Sequence, residues 1–429
     1  MDSEGTKDAT VPATEARGNF FRQSGWLMIA NIAGGALMWG LHFLAKRLEK
    51  GEYGTFGALL TVLMVLPLMP LQMVFAQQTA KALATGRQRQ LAGMIRLMWL
   101  GTFLFWMVAM VVVFFQQDNI LRLLQIKDSV GLWIMLVACL FAAWLPIFGG
   151  VLQGQQNFLW LGWSMMLNGV GRIGLAVAAV MIVGGYAAGL LAGVLLGLIV
   201  GAAIAIWQTS ALWRLPSETF DVHSLMRQVI PLLIGFGAFQ FLFTADTMFV
   251  KSYFTGDQTD AYVGAGTLSR ALIWLVGPLA AVMFPRVVQS SAKSEKSNLM
   301  RGVLIGTFVI AVVGATGLVV VGPFVIKIIY PKFAAQVIEL IPWYAFTMVP
   351  LALGNVLLNN LLAKGSFRIV PLLVVLALGY AFTLTRYHDS PITVLKVLCA
   401  FNVLLLTVSA WFTWRDSLTP TRSSPAACS

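Results

Sequence analysis

Stretches of apolar residues, each about as long as a membrane-spanning helix, recur along almost the whole chain. A helix needs about 20 such residues to cross the hydrocarbon core of a bilayer. Because 59% of the residues are hydrophobic and only 11% are charged, a soluble fold could not bury the apolar surface. We therefore predict an all-α integral membrane protein with about twelve transmembrane helices. The predicted spans lie near residues 24–44, 54–79, 92–115, 130–153, 159–183, 187–209, 228–251, 261–287, 301–327, 335–362, 369–386 and 391–414.

The distribution of Lys and Arg predicts the orientation of these spans. More of the 29 basic residues fall in the connections on the side of the N terminus than on the opposite side, which predicts cytoplasmic N and C termini. The net charge of +12 is thereby explained without a nucleic-acid partner. No predicted connection could hold an extramembrane catalytic domain of about 50 residues, so we expect a membrane transporter rather than an enzyme.

Several residues recur at a spacing of 209 along the chain, which predicts an internal duplication. The pairs are Tyr53 and Tyr262, Phe75 and Phe284, Phe158 and Phe367, and Asn31 and Gln240. Six spans per half would produce two pseudo-symmetric bundles with a cleft between them, where transporters bind their cargo. The predicted segments are a disordered cytoplasmic arm (1–19), an N-terminal six-helix bundle (20–210), a cytoplasmic linker (211–227), a C-terminal six-helix bundle (228–414) and a cytoplasmic tail (415–429).

No cofactor or metal is predicted. Gly169–Gly174 matches the G-x-G-x-x-G pattern, but it lies in the middle of a predicted span, whereas a dinucleotide site needs a preceding strand and a following helix. The three cysteines, Cys139, Cys399 and Cys428, lack the spacing of a metal site. No G-x-x-x-x-G-K-[ST] loop for ATP is present.

Two arginines without an evident partner are the sharpest functional signal within the spans. Arg172 and Arg270 are predicted near mid-depth, where a charged residue costs roughly 2.5–3.5 kcal/mol to insert. A role facing an internal cavity is favoured over a purely structural hydrogen-bonding role. The predicted cavity lining also includes Asn31, Gln72, Gln77 and Gln240. Guanidinium and amide groups suit an anionic cargo rich in hydroxyl groups.

Asp246 is the acidic residue predicted deepest in a span, and three roles are open to it: pairing with an arginine, binding a coupling cation such as H+ or Na+, or a packing role. His42 is interpreted as an interfacial residue rather than a proton relay. Four prolines in the second and eighth spans, which the duplication makes equivalent, are candidate hinges, because proline interrupts helical hydrogen bonding. They are Pro67, Pro70, Pro278 and Pro285.

Short motifs in register with the spans resemble those of one transporter family. Glu52-Tyr53-Gly54-Thr55-Phe56, Gln153-Gly154 with Phe158, Asp246 followed by Tyr262 and Pro285, and Tyr330-Pro331 occur in order. The chain thus resembles the polysaccharide-transporter branch of the multidrug/oligosaccharidyl-lipid/polysaccharide (MOP) flippase superfamily, which includes O-antigen flippases. It departs from that family in having Thr267 where an arginine is often expected, with Arg270 one turn further on.

The resemblance implies a flippase of the inner (cytoplasmic) membrane that works by alternating access. Its implied cargo is a polyprenyl-pyrophosphate-linked oligosaccharide or polysaccharide precursor of the cell envelope, as in lipopolysaccharide assembly. The implied partners are this lipid-linked substrate, membrane lipids and polysaccharide-assembly proteins.

Two other functions are alternatives to this one. A cation-coupled multidrug exporter of the same superfamily would be expected to have acidic cavity residues, whereas the predicted cavity is basic. A membrane glycosyltransferase or polysaccharide polymerase would need acid or base residues on sizeable outer loops, and such loops are not predicted.

Overall fold

The computed structural model describes residues 13–290, 296–363 and 366–418, and the described residues form helices and connections without a strand. The α-helices are α1 Ala13–Gly40, α2 Glu52–Val65, α3 Leu68–Ala84, α4 Gln88–Leu123, α5 Val130–Gly154, α6 Phe158–Ile182, α7 Ala187–Gln208, α8 Ser210–Trp213, α9 Val222–Thr244, α10 Asp246–Tyr253, α11 Asp257–Ser290, α12 Lys296–Ile329, α13 Ala334–Ala363, α14 Val370–Arg386 and α15 Pro391–Leu418. Two 3-10 helices, Leu41–Arg47 and Phe367–Ile369, complete the order.

Eleven helical segments in the described part of the chain are long and apolar enough to cross a membrane. They correspond to eleven of the twelve predicted spans. The remaining span, near 261–287, falls on α11, whose side chains are described only as far as residue 273. The predicted all-α membrane fold is confirmed, and cytoplasmic placement of the two termini stays a prediction.

The ends of the chain differ in part from the predicted segments. Helix α1 begins at Ala13, inside the arm predicted as disordered over 1–19, while residues 1–12 lie outside the described residues. Helix α15 continues to Leu418, into the predicted tail. Apolar helices extend into polar flanks because each further residue adds an intrahelical hydrogen bond.

Three helix pairings recur in the two halves of the chain, between helices that the predicted duplication makes equivalent. In the N-terminal half α1 packs on α6, α3 on α5 and α5 on α7. The equivalent helices of the C-terminal half pair likewise, with α9 on α14, α11 on α13 and α13 on α15. The unusually long α4 and α12, of 36 and 34 residues, also occupy equivalent places.

Small residues set the close approach of α6 and α7 in the N-terminal bundle. A Cβ on Gly193 or Gly197 would overlap the backbone of α6 at Arg172 and Asn168. Close backbone approach through small residues is a common way to pack helices in a membrane, where burial of apolar surface between helices gives little driving force. This packing fixes the position of Arg172 on α6.

The second predicted span consists of two helices. Helix α2 ends at Val65 and α3 begins at Leu68, and Pro67 between them has non-helical backbone angles. Pro70 is buried within the first turn of α3. A hinge role for Pro67 and Pro70 stays a prediction. The side chains of Pro278 and Pro285 in α11 lie outside the described residues.

Candidate functional site

The two bundles meet at a cluster of polar contacts that we call the latch. On the N-terminal side it consists of the segment Leu48–Gly54, which includes the buried Tyr53. On the C-terminal side it consists of residues 251–267 and Tyr330–Lys332. Helix α2 lies at its centre, in contact with α9, α10 and α11.

A carboxylate of the C-terminal bundle caps a helix of the N-terminal bundle. Asp260 accepts hydrogen bonds from the backbone N–H groups of Gly51, at 2.8 Å, and Gly54, at 2.7 Å. The first N–H groups of a helix lack intrahelical acceptors, and a carboxylate there is also favoured by the helix dipole. Gly51 has a φ of 83°, a conformation that residues with a Cβ rarely adopt.

Tyr53 is the buried centre of a second group of contacts. Its hydroxyl lies 2.7 Å from Nδ1 of His42, 3.0 Å from the hydroxyl of Tyr330 and 3.4 Å from Oγ1 of Thr267. His42 belongs to the N-terminal bundle, whereas Tyr330 and Thr267 belong to the C-terminal bundle. Separation of the bundles at this end would break the contacts with Tyr330 and Thr267 and keep the one with His42.

Lysines add further contacts across the latch. Lys332 donates to the carbonyl of Leu48 at 2.6 Å, and Lys251 lies 3.5 Å from the carbonyl of Gly51. The ion pair of Lys50 with Asp257, at 2.7 Å, is exposed at both side chains, and exposed pairs contribute little. The buried contacts of Asp260 and Tyr53 therefore dominate the latch.

The prediction that Arg270 has no partner is wrong. Arg270 forms a buried ion pair with Asp246, at 2.6 Å. The same guanidinium donates to the carbonyl of Phe243 and to the hydroxyl of Thr247. The central carbon of this guanidinium, Cζ, lies 5.5 Å from the centre of the Tyr344 ring. Of the three roles left open for Asp246, the structure shows pairing with an arginine.

The second carboxylate oxygen of Asp246 is also engaged. It accepts hydrogen bonds from the hydroxyls of Tyr262, at 2.8 Å, and Tyr344, at 2.5 Å. The aspartate has no exposed surface. A coupling cation at Asp246 would have to compete with Arg270 and with both hydroxyls.

Arg172 lies in the other bundle, in a different environment. Its Nε–H is buried and has no hydrogen-bond partner among the described residues. Its Cβ lies 3.0 Å from where a Cβ on Gly197 would be, and its charge acts on His42. Arg172, unlike Arg270, forms no ion pair in the described part of the chain.

The predicted amide residues do not form one cluster. Gln240 donates to the carbonyl of Met64 at 2.9 Å and so joins α9 to the end of α2. Gln72 donates to Gln153 at 3.1 Å within the N-terminal bundle. Asn31 and Gln77 are exposed on α1 and α3. Their place in a cargo cavity stays a prediction.

The latch residues were not identified from the sequence. His42 was interpreted as interfacial, and Asp260, Thr267 and Tyr330 were given no site role. One signal was present: Gly51 and the Asp260 that caps it are themselves 209 residues apart. Equivalent segments near a pseudo-twofold axis lie close together, so this pair could have been proposed as a contact.

The described residues contain no group of three or more His, Cys, Asp or Glu side chains that could hold a metal ion. Cys139 and Cys399 are free thiols, and Cys428 lies outside the described residues. Gly169–Gly174 lies within α6, in a helical context that does not suit a dinucleotide site.

A family model described as the lipid II flippase MurJ matches residues 124–386, which is more than half of the chain. The chain belongs to the MurJ lipid II flippase family. This membership makes the protein a multi-pass membrane transporter of the MOP superfamily rather than an enzyme. No curated protein sequence matches the chain.

Solved structures share the fold of this MurJ-family chain. A multidrug resistance MATE transporter of the MOP superfamily in an inward-facing conformation has a TM-score of 0.71 at 11% identity, covering 91% of this chain and 94% of that one. MurJ in an inward closed conformation has a TM-score of 0.68 at 13% identity, covering 90% and 87%. An outward-facing MATE transporter has a TM-score of 0.63 at 11% identity, covering 92% and 95%. At these identities the likeness concerns the fold alone.

Proposed function

We propose that this protein is a flippase that carries a polyprenyl-pyrophosphate-linked oligosaccharide or polysaccharide precursor across the cytoplasmic membrane by alternating access. The observation that carries the proposal is the latch of a MurJ-family chain: at one end, the two bundles are joined by a set of polar contacts that can break together. Helix α9 also packs on α3, away from the latch. The proposed bundles are residues 20–210 and 228–414, with 211–227 as the linker.

The proposed orientation places the latch at the outer face of the membrane. With cytoplasmic termini, the segment from Lys46 to Glu52 is on the outer side, so a closed latch corresponds to an inward-facing state. The higher TM-score for the inward-facing than for the outward-facing MATE transporter supports this assignment.

Arg172 is the proposed anchor of the anionic part of the cargo. Its buried Nε–H lacks a partner, and a guanidinium binds pyrophosphate oxygens through charge-assisted hydrogen bonds. Asn31, Gln72, Gln77 and Gln240 are the proposed contacts for hydroxyl groups. Arg270 and Asp246 neutralise each other, so we assign that pair a structural role in the C-terminal bundle before any role toward cargo or a coupling ion such as H+ or Na+.

The proposal has two versions, which differ in the glycan that the lipid-linked cargo carries. The ordered motifs resemble transporters of longer polysaccharide precursors such as O-antigen, which would work beside polysaccharide-assembly proteins. The family model carries the name of a lipid II flippase. Both cargoes share the polyprenyl pyrophosphate that Arg172 would bind.

The test is reconstitution of the purified protein into liposomes with fluorescent polyprenyl-pyrophosphate glycans. Transfer between leaflets is measured by quenching from outside, with an O-antigen-type repeat unit and a lipid II analogue as separate cargoes. We expect transfer of at least one cargo above empty liposomes, and a loss of about tenfold or more in Arg172→Ala, as removal of a charge-assisted contact can cause. The basic surface variant Arg89→Ala should retain transfer. If neither cargo moves, or only a cationic dye does, the proposal is wrong.

A further inference from the structure

His42 occupies an unusual place between a permanent charge and the contact that joins the two bundles. On one side it is hydrogen-bonded to Tyr53 at 2.7 Å. On the other side, the 3-10 helix that carries His42 packs on α6. A Cβ on Gly40, two residues before His42, would lie 3.1 Å from Ile173, the neighbour of Arg172 in the chain. The imidazole therefore lies between Arg172 in the interior of the N-terminal bundle and the latch.

The hydrogen bonds of Tyr53 depend on the protonation of His42. Thr267 uses its own proton toward the carbonyl of Val263, at 2.8 Å, so toward Tyr53 it can only accept. When His42 is neutral with its proton on Nε2, its Nδ1 accepts from the hydroxyl of Tyr53, and Tyr53 accepts from Tyr330. When Nδ1 takes up a proton, His42 becomes the donor, and the Tyr53 hydroxyl must donate across the interface to Tyr330 or Thr267.

The charges around His42 determine which state of the latch a bound proton favours. An imidazolium would place a second positive charge beside Arg172, which forms no ion pair among the described residues. The other charged groups at the latch are Glu49, Lys50, Glu52, Lys251, Asp257, Asp260 and Lys332. Lys50 pairs with Asp257, Glu52 accepts from the N–H of Ala187, and the carboxylate of Asp260 is engaged by two N–H groups of α2. Two like charges repel strongly in a buried site and weakly in water.

We propose that His42 is a proton-binding site that controls the latch, and that its protonation favours separation of the two bundles at this end. The step is simple protonation: Nδ1 takes one proton from water, imidazole becomes imidazolium, and no covalent bond breaks. Separation admits water around His42 and Arg172, which reduces their repulsion. A proton would therefore bind to the open state and leave as the latch closes. The inference rests on the alternating access of the proposed function but on no particular cargo.

The test measures the distance between spin labels on the two bundles as the pH changes. Leu123 and Tyr387 are exposed, at the latch end of the N-terminal and C-terminal bundle respectively, and can be replaced by cysteine after the three native cysteines are changed to serine. The full-length protein is placed in lipid nanodiscs without cargo. Between about pH 8 and pH 5, the range in which histidine ordinarily titrates, we expect the population with the longer distance to rise about threefold or more.

Two variants distinguish the proton site from a general effect of acid. His42→Gln keeps an acceptor for Tyr53 but cannot take up the proton, so the long-distance population should not respond to pH. Tyr53→Phe removes the hydroxyl and keeps His42 beside Arg172. In that variant the population should be larger at every pH and should still rise in acid.

The outcomes separate this inference from the proposed function. An acid response in His42→Gln equal to that of the parent protein would assign the response to other groups and overturn the inference. The absence of an acid response in the parent protein would also overturn it. Failure of the proposed function would appear instead in the lipid-transfer assay, which contains no spin labels and is run at one pH.

Discussion

Asp260 serves two bundles, because it lies in the first turn of α11 in its own bundle and caps α2, whose residue Gly51 is 209 positions away in the chain. Its two oxygens accept from Gly51 and Gly54 at 2.8 and 2.7 Å. Loss of a capping acceptor ordinarily costs about 0.5–2 kcal/mol. The energy that holds the latch closed should therefore be sensitive to this side chain.

Asp260→Ala should lower the thermal stability of the latch-closed protein and favour separation of the bundles. A loss of about 1–2 kcal/mol would raise the ratio of separated to closed molecules about 5- to 30-fold. Unfolding in detergent and the label distance between residues 123 and 387 are the two measurements. Asp257→Ala is the matched control, because its ion pair with Lys50 is exposed and worth little. Equal effects of the two substitutions would contradict the cap.

The pair of Asp246 and Arg270 leads to a separate prediction for the C-terminal bundle. Removing one partner of a buried ion pair typically costs about 3–5 kcal/mol, because the other charge is left uncompensated. We expect both Asp246→Asn and Arg270→Gln to lower the midpoint of thermal unfolding strongly. The double variant should be more stable than either single one. Strictly additive losses would show that the two residues do not act as a pair.

At the scale of elements, the face of α2 that carries Gly54 and Gly57 is shaped to receive the start of α11. A Cβ on Gly57 would lie 2.6 Å from Cγ2 of Val263. A valine side chain has little freedom to move away. The tight contact between α2 and α11 therefore depends on the absence of a side chain at position 57.

Gly57→Ala should hold the bundles apart and reduce the closed population, as measured by the same label pair. Val263→Ala in the same chain should restore closure, since it removes the two atoms that the new methyl group would meet. Gly101→Ala in α4 is the control, because nothing lies within 4 Å of its Cβ position. A failure of Val263→Ala to restore closure would show that the contact at position 57 does not limit the approach of α2 and α11.

At the scale of the whole molecule, the orientation in the membrane decides which face the latch closes. In a variant without native cysteines, a cysteine at position 50 should react with a membrane-impermeant thiol reagent in intact cells. A cysteine at position 89, in the first turn of α4, should react only after permeabilisation. The expectation follows from the excess of Lys and Arg on the side of the N terminus. The opposite pattern would invert the orientation and assign the latch to the cytoplasmic face.

The amino-acid sequence by itself determined that the elements are helices and where eleven apolar spans lie. A bilayer offers no water to backbone groups, so each span must satisfy its hydrogen bonds internally as a helix, and length and hydropathy then locate the spans. The break at Pro67 was predictable for the same local reason, since proline lacks the N–H that continues a helix.

Only the tertiary structure decided which polar groups meet. Arg172 and Arg270 look alike in the sequence, yet one has a buried Nε–H without a partner and the other is paired with Asp246. Asp260 and His42 carried no local signal of a role, because their partners lie on helices distant in the chain. A hydrogen bond or ion pair depends on distances of about 3 Å, and helix packing sets such distances between residues that no local pattern connects.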